Sequence, residues 1–307
     1  MEAKRSKEME RILVIGAGFM GSGIAQVCAQ AGYMVHLMDI KREALNKALR
    51  GIHWSVEKLY TKGIIKESPQ TVLERITPEK DLKSASEVNW VIEAALEVED
   101  LKHEIFQELD RLAPLKTPLA SNTSSIPITQ IATATQHPER VVGLHFFGPV
   151  PLMDLVEVVK GKKTSLEVFE RGVAFVRSLG KTPIRVQRDM PCFVMNRIFS
   201  AAFREAVDLV SQGVVSPEDV DVGMKLGYGW NAGPFEIADN AGLDTYISIG
   251  QSMKALGEDS LISNSGLIER MVEEGRLGRK AGKGFYRYTP EGKRLPWGSE
   301  NKHYIRG

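Results

Sequence analysis

Cysteine is scarce: the 307 residues include two, Cys28 and Cys192, far apart in the chain. That excludes a disulfide framework and a cysteine-rich metal site, and it fits a reducing compartment. Long apolar runs are missing as well. No run of about 18 hydrophobic residues occurs, so no membrane span is expected. Charge of one sign is also lacking, since 40 Lys and Arg against 39 Asp and Glu leave a formal net charge of +1. A domain built mainly to hold a nucleic-acid backbone is therefore not expected, although local basic clusters can still meet phosphates. The opening MEAKRSKEMER is charged throughout, without the apolar core of a secretory signal, and its acidic residues argue against a transit peptide. A cytoplasmic protein is expected.

What is present suits ordinary globular domains: 43% of residues are hydrophobic and 26% charged, with no bias toward disorder. At about 150 residues per domain the length suggests two. Ile12 to Ile15 reads as a buried strand, Ile24 to Ala31 as a helix ended by Gly32, and Met34 to Met38 as a second strand closing on Asp39. Such a unit assembles most economically as a parallel pair with a right-handed crossover. Lys41 to about Leu82 is helical and charged, too long for a simple connection and so an insertion. Strand signals resume at Trp90 to Ile92, near Leu119, and at Val141 to Leu144, Leu155 to Val159 and Ile184 to Val186. Beyond the turn at Arg188 to Pro191, helical periodicity takes over. The expected architecture is α/β: a Rossmann-type doubly wound, mostly parallel sheet with a helical insertion over residues 1–188, then an all-α C-terminal domain over 189–307. The basic, glycine-rich stretch Gly275 to Gly284 reads as an ordered loop or an exposed end.

The stretch VIGAGFMGSGIA carries glycines at 16, 18 and 21 around Phe19 and Met20. Three glycines alone mean little. Here they follow a strand, open a helix, and precede by about twenty residues an acidic residue, Asp39, at the end of a second strand; that context is the dinucleotide-binding fingerprint. Missing side chains let a pyrophosphate approach the backbone, and helix N-terminal N–H groups meet its charge. Asp39 can accept hydrogen bonds from the adenosine ribose and would repel a 2′-phosphate, which favours NAD over NADP despite Lys41 and Arg42 nearby. The competing reading of Asp39 is a solvated turn residue.

Hydride transfer needs a group that exchanges the hydroxyl proton. His36 lies inside an early strand, His53 and His103 on charged helices, His137 in a linker and His303 in the tail. His145 alone falls at the carboxyl end of a late strand, where open α/β sheets keep their ligand crevice. The turn Gly148, Pro149, Val150, Pro151 follows it, and then LVEVV, in which Glu157 is the single charge. If the chain reverses around Pro151, Glu157 lies as far beyond the turn as His145 lies before it, and a carboxylate–imidazole pair results, fixing the ring's tautomer. The alternative is a strand-edge glutamate facing water.

These stretches, with SNTSSIPIT, GLHFFGPVPLMDLVEVV, NRI, GPFEIAD, GLD and GRLGRKAGKGFY, resemble the L-3-hydroxyacyl-CoA dehydrogenase family over nearly the whole chain. The resemblance implies reversible, NAD-dependent oxidation of a (3S)-3-hydroxyacyl-CoA to the 3-oxoacyl-CoA, with short-chain substrates such as 3-hydroxybutyryl-CoA favoured, and a homodimer formed through the helical C-terminal domain. It makes His145 the general base and Glu157 its partner, with Ser124 and Asn196 hydrogen-bonding at the reacting end of the substrate. It also implies that Ser55 and Lys62 contact CoA, and that Glu97, Lys102, Ser124 and Lys280 line the cofactor site beside Gly16, Gly18, Phe19, Met20, Gly21 and Asp39. Plainer roles compete: Ser124 as a helix cap, Asn196 as an early-helix polar residue, and the lysines and Ser55 as solvated surface. Two positions depart from the family's pattern. Gly148 stands where asparagine usually follows the histidine motif. Cys192 stands where a glycine usually follows proline, and it needs negative φ or costs strain. A dehydrogenase of a free hydroxy acid or sugar acid, and a non-catalytic NAD-binding protein, are the alternatives.

Overall fold

The computed structural model describes residues 10–298 apart from 256 and 258–262. Most of the charged opening segment and His303 lie outside the described residues. The chain divides into two compact units between Phe193 and Val194.

The first unit begins with β1 (Arg11–Ile15), α1 (Phe19–Gln30) and β2 (Met34–Met38), followed by α2 (Arg42–Thr61), α3 (Pro69–Leu73) and β3 (Ile76–Glu79). Next come β4 (Trp90–Glu93), α4 (Glu99–Leu112), β5 (Leu119–Ser121), α5 (Ile128–Ala132), β6 (Val141–Phe146), β7 (Leu155–Val159), α6 (Leu166–Ser178) and β8 (Thr182–Val186). They form an eight-stranded sheet in the order β3-β2-β1-β4-β5-β6-β7-β8. Strands β1 to β6 run parallel, and the β6–β7 pair is antiparallel. The order reverses between β1 and β4, and the crevice beyond the carboxyl ends there is where such sheets hold ligands.

The expected helical insertion ends in a strand. β3 pairs with β2 at the sheet edge; it escapes a pattern reading because only Ile76 of its four residues is buried and Pro78 interrupts it. Helix α1 starts at Phe19, five residues before the expected Ile24, and its early glycines explain the difference. A Cβ on Gly21 would lie 1.7 Å from the Gly16 carbonyl oxygen, and one on Gly23 would lie 2.9 Å from Val150 Cβ. Close packing against the loops that follow β1 and β6, not helix propensity, holds the start of the helix.

The second unit holds α7 (Met195–Ser211), α8 (Pro217–Tyr228), α9 (Pro234–Ala241), α10 (Leu243–Ala255) and α11 (Leu267–Glu273). Phe203, Val207, Phe235 and Phe285 meet in its core. The Gly275 to Gly284 stretch is an ordered loop, carrying Phe285 and Tyr286 into that core, where the buried Asp239 accepts both of their backbone N–H groups at 2.9 Å. Asp221, equally buried, accepts from the Tyr286 hydroxyl at 2.6 Å and from the N–H groups of Phe235 and Glu236. Burial pushes the Asp221 carboxyl up to about 6, against the pull of those three donors. A carboxyl raised in the fold contributes stability that is complete below its ordinary 3.8 and is lost as pH climbs through about 6. The Phe235 and Glu236 amides should therefore show hydrogen-exchange protection factors that fall between pH 4 and pH 7; flat or rising protection would contradict this.

Among the described residues no helix is long and apolar enough to cross a membrane.

Candidate active site

At the end of β1 the chain turns through Gly16 at φ +98°, where a Cβ would lie 2.5 Å from the Ala94 carbonyl oxygen. Glycine is required there on both counts. At Gly18 a Cβ would meet nothing within 4 Å, and this residue begins α1 without a side-chain cap. The first-turn N–H groups of Phe19, Met20 and Gly21 lie at the positive end of the helix, behind that open space at Gly18. Asp39, just past β2, accepts the Ala17 N–H on Oδ2 and the Lys41 N–H on Oδ1, both at 2.9 Å. Each oxygen keeps a further lone pair. Donors for a pyrophosphate and acceptors for a ribose diol are thus held a strand-width apart, and the residues present fit a dinucleotide.

On the far side of the crevice β6 and β7 pair antiparallel with His145 opposite Glu157. Facing positions on paired strands point to the same side, and His145 Nδ1 lies 2.6 Å from Glu157 Oε2. Both side chains are buried, at 6% and 0% exposure. An ionised carboxylate can only accept, so Nδ1 carries a proton, and in the neutral form of the ring the lone pair is then on Nε2. The imidazole is in contact with two phenyl rings, Phe147 at 4.6 Å and Phe193 at 5.7 Å between centroids. Phe193 sits at φ +50° and Cys192 at +61°. The cysteine does adopt the left-handed conformation, at about 1–2 kcal/mol for a residue with a side chain. The Cys192 N–H reaches the Ser125 carbonyl at 3.2 Å, tying this strained turn to the loop after β5.

That loop carries Ser124 and hangs on an ionic network that runs inward from Glu97, whose side chain is 35% exposed, to the buried Lys102 and Glu93. Glu97 Oε1 accepts from the Thr123 hydroxyl, the Ser124 and Ser125 N–H groups and the Ser125 hydroxyl, at 2.6 to 3.0 Å. Lys102, 1% exposed, places its ammonium 2.6 Å from Glu93 and 3.3 Å from Glu97. Glu93, fully buried at the end of β4, also accepts the Ser121 hydroxyl at 2.6 Å and the Ala95 N–H at 2.7 Å. Desolvation would raise the Glu97 carboxyl, but Lys102 and the loop donors outweigh it and hold it below the usual carboxylate range. Lys102 is therefore no solvated surface residue, and its link to the crevice runs through Glu97. Ser124 does not cap the next helix, because α5 starts after Pro127. Asn122 ties the same loop to the His145 strand, its Oδ1 accepting the Phe146 N–H at 2.9 Å.

Ser55 and Lys62 stand seven residues apart on α2 and at its carboxyl end, two turns along one face. Asn196 and Lys280 belong to the second unit. Asn196 is the second residue of α7, and the Lys280 ammonium lies 2.6 Å from the Asp244 carboxylate.

The profile of the NAD-binding domain of 3-hydroxyacyl-CoA dehydrogenases matches residues 11–190, and that of their C-terminal domain matches residues 193–288. The chain belongs to the 3-hydroxyacyl-CoA dehydrogenase family. It is 41% identical to the 3-hydroxybutyryl-CoA dehydrogenase of Bradyrhizobium diazoefficiens, over 91% of this chain and 96% of that one. It is 40% identical to the mitochondrial hydroxyacyl-coenzyme A dehydrogenase of Homo sapiens, over 91% of each. Among solved structures, (S)-3-hydroxybutyryl-CoA dehydrogenase from Ralstonia eutropha superposes with a TM-score of 0.85 at 38% identity, over 92% of this chain and 99% of that one. This family member is an NAD-dependent dehydrogenase.

Three residues around its site escaped the sequence reading: Glu93, Asn122 and Phe193. Glu93 had a usable signal, a lone charge closing the apolar run Trp90 to Ile92, as Glu157 does within LVEVV. Asn122 and Phe193 act through tertiary contacts that no local pattern announces.

Proposed function

We propose that the chain oxidises the 3-hydroxyl of a (3S)-3-hydroxyacyl-CoA to the 3-oxo thioester, reversibly, with short acyl groups such as 3-hydroxybutyryl favoured. The observation that carries this is the buried His145–Glu157 pair, whose Nδ1 contact leaves Nε2 of the neutral ring to act as the acceptor that alcohol oxidation requires. Bound NAD supplies the hydride acceptor. The O–H bond gives its proton to His145 Nε2 while the C3–H bond gives up hydride, and the Glu157 carboxylate balances the charge that develops on the ring. In the reverse direction the imidazolium returns the proton to the oxygen. Ser124 and Asn196 orient the substrate oxygen by hydrogen bonding. Glu97 and Lys102 fix the loop that presents Ser124, and the family resemblance assigns Lys280 to the cofactor site. Ser55 and Lys62 grip the CoA portion, Lys62 by pairing its cation with a phosphate. Asp39 selects NAD over NADP.

We infer further that the second unit pairs with its copy in a homodimer. The exposed side chains of Val214, Leu226 and Tyr228, at 65%, 84% and 79%, support this by offering apolar surface for association. A cytoplasmic location fits the scarcity of cysteine.

The test is a steady-state panel with NAD and NADP. With NAD, 3-hydroxybutyryl-CoA should be oxidised with a kcat/KM at least about 10²-fold above that of free 3-hydroxybutyrate, the size expected when one charged phosphate contact and its neighbours are lost. Equal rates for the free acid would favour a hydroxy-acid dehydrogenase, and no NADH from any ester would favour a non-catalytic role.

A further inference from the structure

Gly148 follows β6 by two residues, and its backbone does not demand glycine, since it is absent from the positive-φ positions. Space demands it. A Cβ there would lie 2.6 Å from Cε1 and 3.3 Å from Cζ of the Phe19 ring, and 3.3 Å from Met20 Sδ. The obstacle differs in kind from those at Gly16 and Gly21, where the blocking atoms belong to the backbone. Here it is the far end of a side chain that is 69% exposed and has room to swing away. Phe19 is also the first residue of α1, next to the open space at Gly18 and in the first turn, whose N–H groups would meet the phosphates of a dinucleotide. A phenyl ring left so exposed at the mouth of a ligand crevice gains most when the ligand covers it.

We propose that Phe19 and Gly148 form one steric unit that walls the dinucleotide crevice. The ring fills the place of the missing side chain at 148 and supplies an apolar face that bound NAD(H) covers. The glycine is kept small so that the ring can lie there. This chain would thus meet its cofactor with a hydrocarbon surface beside residue 148, which accounts for a glycine there without invoking the acyl substrate.

The experiment is a double-mutant cycle on the full chain without acyl-CoA. The NADH Kd is measured by fluorescence titration for wild type, Phe19→Ala, Gly148→Ala and the double variant, alongside the melting temperature of each ligand-free protein. Phe19→Ala should weaken NADH about tenfold, the value of leaving most of one phenyl ring uncovered. Gly148→Ala should weaken it comparably by pushing the ring aside, and the double variant should bind no more weakly than the worse single one. Melting temperatures should stay within about 2 °C of wild type, because neither change touches the core. An unchanged Kd in Phe19→Ala overturns the wall. An unchanged Kd in Gly148→Ala, or additive losses of about a hundredfold in the double variant, overturns the coupling. Because no substrate is present, either failure leaves the acyl-CoA reading to its own test.

Discussion

Replacing His145 by glutamine is expected to lower kcat/KM for 3-hydroxybutyryl-CoA oxidation by about 10²–10⁴, the usual worth of a positioned general base. NADH affinity should stay within about twofold of wild type, since the variant removes an interaction of the reaction step and not of cofactor binding. Glutamine separates chemistry from structure. Its amide N–H can still donate to Glu157 in place of Nδ1–H, so the buried carboxylate keeps a donor and β6 keeps its register. What glutamine lacks is a nitrogen lone pair able to take up a proton. Alanine would be a poorer probe, because it would open a space beside Phe147 and Phe193 and take the Nδ1–H donor from Glu157 at once. Wild-type-like turnover in the glutamine variant would remove His145 from the mechanism, whatever the family.

The contrast between Glu157 and Glu93 shows how far a linear reading reaches. Each is one charge in an apolar strand, and burial without a partner would cost several kcal/mol. Glu157 was legible because a turn rich in proline lies midway between it and a histidine, so the partner could be found by folding the chain back on itself. The partner of Glu93 is Lys102, on α4, and the group it steadies is Ser121, on the next strand; those neighbours exist only once β4 and β5 lie side by side. The glycine fingerprint was legible because its parts are local: strand, tight turn, helix and a following acidic residue. The start of α1 was not, since glycines that look like a loop are held helical by contacts with Gly16 and Val150. β3 was hidden because an edge strand needs little hydrophobicity. The strain at Cys192 and Phe193 belongs to the same class: sequence flags the unusual cysteine, but only the fold shows both residues at positive φ.

The buried ionic network carries the other large effect. Lys102→Met should destabilise the first unit by about 3–5 kcal/mol, because removing one partner of a buried pair leaves a charge that the remaining groups cannot fully compensate. Methionine fits the volume of the lysine stem, so the loss is electrostatic and not a cavity. Glu93 would keep the Ala95 N–H and the Ser121 hydroxyl, and two neutral donors do not replace an ammonium at 2.6 Å. In calorimetry the transition of this unit should fall by roughly 6–20 °C, at about 2–4 °C per kcal/mol for a domain of this size. Combining Lys102→Met with Glu93→Gln should recover a large part of that loss: the side-chain carbonyl can still accept from Ser121, and no buried charge remains. Lys102→Met alone should also speed hydrogen exchange at the Ser124 and Ser125 amides, since Glu97 would lose the cation that steadies it while still carrying the loop's donors. If the single variant melts within a degree or so of wild type, the charges are already satisfied without the lysine, and the network does not hold the Ser124 loop.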